Sequence, residues 1–135
     1  LEASQNALNN LYMEISGLQL TKKINQNYFN EFQTALNNDL NTPQALAILW
    51  KLLKSDSKNK LSTLFKFDQV FGLDIKNTWK QAQKNIKTIK KIITEYSKAR
   101  SKKNFTLSDT LRKQISEKGF MLEDSTSGTI VKKKY

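Results

Sequence analysis

The sequence predicts a mainly α protein: an antiparallel helical bundle followed by a small C-terminal domain with one helix and a short β-hairpin. Three observations carry this. One proline and four glycines in 135 residues leave few breakers. Apolar residues recur at three- and four-residue spacing up to about Lys118, the period of a helix with one buried face. After Gly119 two short alternating runs flank a turn.

Each element has its own pattern. A first helix is expected over residues 2–18, where Leu8, Leu11, Tyr12, Ile15 and Leu18 share a face. Residues 22–27 read as a connection. A second helix, 28–38, turns Phe29, Phe32, Ala35 and Leu36 inward. Thr42 is the expected N-cap of a third helix, and Pro43 fits its first position, where no amide donor is needed. That helix runs to Leu53 with a stripe of Leu46, Leu49, Trp50 and Leu53. A polar loop at 55–59 leads to a fourth helix bearing Leu61, Leu64, Phe65, Phe67, Val70 and Phe71, closed by Gly72 in a left-handed conformation.

One long fifth helix is expected over 79–99. Ile86, Ile89, Ile93 and Tyr96 form its apolar face, and Lys84, Lys87, Lys90, Lys91 and Lys98 cover much of the rest. Such a helix either packs its isoleucines in a core or lies on a membrane surface; core packing is preferred. Composition shifts near Ser97, which divides the chain into a bundle (1–96) and a small domain (97–135). In the latter, a final helix over 107–118 is capped by Thr106 and stopped by Gly119. Strands over 120–124 and 129–133 are joined by a turn at 125–128.

Charge and missing residue types bound the function. Residues 1–74 hold seven lysines and seven carboxylates, so the whole net charge of +11 lies in 75–135. That asymmetry points to a polyanionic partner, attracted in a salt-sensitive way if it carries phosphates, or to a solvated lysine-rich surface. No cysteine or histidine is present. This excludes disulfides, thiol chemistry, ordinary zinc sites and Ser-His or Cys-His catalysis. No run approaches the ~20 apolar residues of a membrane span, and no signal-peptide pattern is found. The chain starts at Leu1 and is expected to be a non-catalytic, cofactor-free piece of a longer protein.

The last third holds the side chains that grip unstacked nucleotides. RNA loops are read by stacking on aromatic or guanidinium planes and by hydrogen bonds to base edges. Phe105 is a candidate platform, Arg100 a donor, and Asp109 and Asp124 acceptors; Lys102, Lys103, Lys132, Lys133 and Lys134 are candidate phosphate contacts. Each has a structural alternative. Phe105 can staple the final helix, Asp109 can sit in its first turn or pair with Arg112, Asp124 can open the hairpin turn, and Arg100 can be a solvated helix end.

Two blocks resemble a known family. The first is Phe32-x-x-Ala35-Leu36-x-x-Asp39-Leu40-Asn41-Thr42-Pro43-x-Ala45-Leu46-Ala47. The second is Ala99-Arg100, Lys103-Asn104-Phe105, Ser108-Asp109-x-x-Arg112, Lys118-Gly119, Leu122-Glu123-Asp124 and Gly128-Thr129. In this order they resemble the C-terminal region of bacterial-type cysteinyl-tRNA synthetases, a DALR-type helical bundle followed by an anticodon-binding domain. The resemblance implies that the bundle lies beside the anticodon stem and that the small domain reads the anticodon GCA. Arg100, Asp109 and Asp124 match positions that bond anticodon bases, and Phe105 matches a stacking aromatic. The implied partner is cysteine tRNA, the implied parent a monomeric cytoplasmic ligase using ATP and zinc. Lacking histidine, this chain has neither the HIGH signature nor the zinc site of that parent. It departs from the family at Asn104, where Asp is common, and at Val131, where many relatives carry Trp. Two other functions stay open: a protein-interaction module whose basic tail docks an acidic partner, and non-specific nucleic-acid binding driven by charge.

Overall fold

The structure, a computed structural model, describes residues 1–126 and 128–135. Among the described residues the elements are α1 (Glu2–Ser16), α2 (Gln26–Asn37), α3 (Thr42–Lys54), α4 (Lys60–Phe71), α5 (Ile75–Thr88), α6 (Lys90–Ser101), α7 (Phe105–Glu117), β1 (Phe120–Ser125) and β2 (Gly128–Lys133). The protein is mainly α with a C-terminal antiparallel hairpin, as its sequence predicts. Two compact units form: Leu18–Lys76, and Leu1–Gly17 together with Asn77–Tyr135.

In the Leu18–Lys76 unit, α2 packs on α3 and both meet α4. Phe32 stacks on Phe67 with ring centroids 4.1 Å apart, and Phe71 meets Phe32 edge-on at 5.6 Å. Ala45, Leu49, Leu52, Leu61 and Leu64 complete this core. Gly72 closes α4 at φ 66°, as expected. Asn41, not Thr42, caps α3: its side-chain oxygen accepts from the Gln44 amide at 3.1 Å, while the Thr42 hydroxyl turns back to the Leu40 carbonyl at 3.2 Å. The inward face of α3 runs through Ala45, Ile48, Leu49 and Leu52, which leaves Leu46 39% exposed; Val70 on α4 is also exposed. Asp68 starts α5 from across a turn, accepting from the amides of Leu73 at 2.6 Å and Ile75 at 2.8 Å. With its first amides satisfied, the helix begins at Ile75, four residues before the expected start.

The expected long helix over 79–99 is two helices. Ile89 interrupts it at φ −108°, ψ 11°, with its amide drawn to the Ile86 carbonyl at 3.2 Å. Thr88 and Ile89 are adjacent β-branched residues, which crowd a helix backbone, and the Thr88 hydroxyl bonds the Asn85 carbonyl at 2.6 Å. The break places Ile89 in a core with Tyr96, Ala99, Leu111, Ile115, Phe120 and Leu122. Asn104, not Thr106, caps α7, accepting from the Leu107 amide at 3.2 Å. Phe105 is therefore the first residue of that helix and does not precede its cap.

β1 and β2 pair from Phe120↔Lys133 to Ser125↔Gly128. The turn expected at 125–128 includes Ser127, which lies outside the described residues. Along β1, Phe120 and Leu122 point into the core. α1 packs on β2. The Lys133 amide donates to the Ser16 hydroxyl at 2.8 Å, and the Gln83 side chain donates to the Ser16 carbonyl at 2.9 Å. Gly17 permits this approach, because a β-carbon there would stand 2.9 Å from side-chain atoms of Ile130 and Lys132. The compact units therefore divide the chain at 17/18 and 76/77. The first helix buries its apolar face with the last strand, a pairing that composition along the chain does not reveal.

Candidate nucleic-acid interface

The corner between α6 and α7 has no slack. The Asn104 amide bonds the Ala99 carbonyl at 2.9 Å and the Lys103 amide bonds the Arg100 carbonyl at 3.1 Å. These are the two hydrogen bonds of a Schellman closure. Lys103 takes its left-handed position at φ 57°, where glycine is usual. The next residue, Asn104, already caps α7. Arg100, Lys102, Lys103 and Phe105 are thus held in a fixed relation by backbone alone.

Asp124, near the end of β1, gathers the side chains around this corner. Its carboxylate accepts from Arg112 at 2.9 Å, from the Tyr96 hydroxyl at 3.3 Å and from the Thr129 hydroxyl at 3.3 Å, and Arg100 stands 3.7 Å away. Arg112 also donates to the Leu122 carbonyl at 3.2 Å and to the Tyr96 hydroxyl. Each guanidinium lies near an aromatic face, Arg112 at 5.3 Å from the Tyr96 ring centre and Arg100 at 5.8 Å from that of Phe105. Phe105 itself is 55% exposed. Planar cations and an open ring on one surface are the groups that stack on and bond to unpaired bases.

Of the residues singled out in the sequence, Arg100, Phe105 and Asp124 come together. Asp109 lies on the exposed side of α7 with no hydrogen bond or ion pair among the described residues. Asp124 ties the hairpin to α6 and α7. Lys102 and Lys103 are exposed at the corner. Lys134 is exposed and donates to the Ser116 hydroxyl at 2.7 Å, while the Lys133 ammonium lies 5.2 Å from the Tyr135 ring centre.

Lys132 corrects the expectation of a phosphate contact. Its ammonium is buried between Glu14 at 3.0 Å and Glu123 at 2.6 Å, so its charge is already matched. Burial, the largest influence, pulls its pKa down. Hydrogen bonds and charges from Glu123 and Glu14 more than offset this and leave it above the usual lysine value. Burial, and then the nearby Tyr12 phenol, raise the Tyr135 pKa.

Sequence reasoning placed Tyr96 in the core and gave Arg112 and Thr129 no part in the site. One signal was available. The chain has only two arginines among 23 basic residues, Arg100 and Arg112, and both converge on Asp124. Among the described residues no group of His, Cys, Asp or Glu is arranged to hold a metal ion.

Fold and site together define a helical domain with a basic, aromatic-bearing corner. The family model described as DALR domain matches residues 31–122, which include both the α2–α3 turn and this corner. The chain belongs to the DALR domain family. It is 38% identical over 120 residues to a cysteine–tRNA ligase of Francisella tularensis subsp. mediasiatica, an alignment covering 78% of this chain and 26% of that protein. It is 30% identical over 131 residues to cysteine–tRNA ligase 1 of Burkholderia lata, covering 95% of this chain and 28% of the relative. The resemblance to cysteinyl-tRNA synthetases read from the two sequence blocks is borne out. The chain spans about a quarter of the length of the curated relatives it matches.

Proposed function

We propose that this chain is the tRNA-binding portion of a cysteine–tRNA ligase and that its α6–α7 corner, with the adjoining hairpin, reads the anticodon GCA of cysteine tRNA. The observation that carries the reading is the convergence of Arg100, Phe105, Arg112 and Asp124 on one surface of a chain that belongs to the DALR domain family. Arg100 supplies fixed guanidinium donors, and Phe105 offers a half-open ring to a base. Asp109, with no hydrogen bond or ion pair among the described residues, accepts from a base amino or imino group. Asp124 adds an acceptor whose orientation Arg112, Tyr96 and Thr129 hold. Lys102, Lys103, Lys133 and Lys134 meet phosphates. The parent enzyme would activate cysteine with ATP and charge its tRNA. Its ATP and zinc sites would lie outside this chain, which has no histidine or cysteine. A monomeric state and a cytoplasmic location go with this reading. No described helix is long and apolar enough to cross a membrane.

The test is a binding titration of the chain against transcribed cysteine tRNA and against the same tRNA with a changed anticodon. A loss of roughly tenfold or more on changing the anticodon, about 1.4 kcal/mol, is expected. Asp109→Asn should shrink that ratio without altering the melting temperature. Equal binding to both RNAs would leave only charge-driven affinity and overturn anticodon reading.

A further inference from the structure

The α6–α7 corner has a second flank, of which the proposed anticodon reading uses only Lys102. Residues 95, 98 and 99 recur at helical spacing on α6 and, with Lys102 just past its end, Asn104 and Leu107, line a groove of about 460 Å³. That volume falls within the roughly 300–1,000 Å³ of clefts that hold small ligands. Leu107 lies two residues beyond Phe105, about 200° further around α7, so the groove and the Phe105 ring face different ways. The groove has an apolar wall, since Leu107 is 45% exposed and Ala99 lies behind it. Lys98 and Lys102 stand at it, exposed and without ion pairs among the described residues. Glu95 is an acidic residue in a stretch rich in lysine. Despite Lys91 and Lys98 within four residues of it, its carboxylate forms no ion pair or hydrogen bond among the described residues.

We propose that this groove binds one unstacked nucleotide, with guanine the favoured base. The proposal rests on the RNA-binding reading but takes a nucleotide beyond those assigned to Arg100, Phe105, Asp109 and Asp124. Lys98 and Lys102 attract the phosphate, and the base lies against Leu107. Glu95 acts as the selecting group. A carboxylate is acceptor-only and presents two oxygens side by side. Guanine alone among the common bases offers two adjacent donors, N1–H and the N2 amino group, on its Watson–Crick edge. Adenine and cytosine offer an amino donor beside an acceptor, which faces the second carboxylate oxygen unfavourably. Uracil offers one imino donor between two acceptors.

The test is a titration of the isotope-labelled 135-residue chain, followed by amide NMR, with the 5′-monophosphates of guanosine, inosine and adenosine. Inosine lacks only the N2 amino group. Guanosine monophosphate should shift the amides of Glu95, Lys98, Lys102 and Leu107 and bind roughly threefold or more tightly than the other two. Glu95→Gln should bring the three nucleotides to similar affinity, and Leu107→Ala should weaken all of them. Both side chains are on the surface, so both variants keep the fold. Equal affinities in the unaltered chain, shifts confined to other residues, or an unchanged guanosine preference in Glu95→Gln would each overturn the proposal. An anticodon preference in the tRNA titration with no nucleotide in this groove would overturn this inference alone. Guanosine selectivity here with no anticodon preference would instead overturn the anticodon reading.

Discussion

At Asp124, the proposed recognition and the stability of the fold fall on one carboxylate. It accepts from Arg112, Tyr96 and Thr129 and lies beside Arg100, so replacing it removes the link between the hairpin and two helices. The group is 40% exposed, and solvent screening reduces what the ion pairs contribute. Asp124→Asn is expected to destabilise the chain by about 1 kcal/mol in urea unfolding, whereas Asp109→Asn should leave the midpoint unmoved. An anticodon effect in Asp109→Asn therefore reports recognition directly, while one in Asp124→Asn has to be read beside its stability. Lys132 is the opposite kind of residue, a charge spent within the fold. Its folded pKa is raised, so its contribution is complete below the unfolded value near 10.5 and is lost as pH rises through the higher folded value. Stability should therefore be level through neutral pH and fall above about pH 10.5. The raised phenol of Tyr135 acts in the same direction. Urea midpoints of a Tyr135→Phe background and of the same background with Lys132→Met should diverge at pH 8 and draw together above the lysine pKa.

At the level of elements, the corner carries strain where function is proposed. Lys103 sits at φ 57° in a position that favours glycine. A left-handed L-residue there costs about 1 kcal/mol. Lys103→Gly is expected to raise stability by up to about 1 kcal/mol in thermal or urea unfolding and to weaken RNA binding by loss of one cation. A gain in stability with undiminished RNA affinity would show that the lysine is kept there for some other reason. The break at Ile89 is a second such feature: it turns one long basic helix into two and lets Ile89 enter the core that supports Tyr96.

For the whole molecule, the uneven distribution of charge is expected to govern how the proposed RNA affinity responds to salt. Each lysine that meets a phosphate contributes about 0.7–1 to the slope of log affinity against log salt concentration. Lys102→Ala should lower that slope by about this amount and weaken matched and mismatched tRNAs alike. Lys132→Met should leave it unchanged, because Glu14 and Glu123 already neutralise that ammonium. The three terminal lysines, equivalent in sequence, thus differ in what they can do.

The mainly α fold, the hairpin, the Gly72 stop and the placing of basic charge after residue 74 were legible in the sequence, because helical period, alternation, left-handed glycine and net charge are local properties of neighbouring residues. Arg100, Phe105 and Asp124 were legible as a group through their residue types and the family blocks. The start of α5 on Asp68, the partnership of α1 with β2, the burial of Lys132, and the convergence of both arginines on Asp124 were decided by tertiary structure. Each depends on groups far apart in the chain supplying a hydrogen bond, an opposite charge or a matching surface. No period or composition along the sequence records which distant residue will provide it.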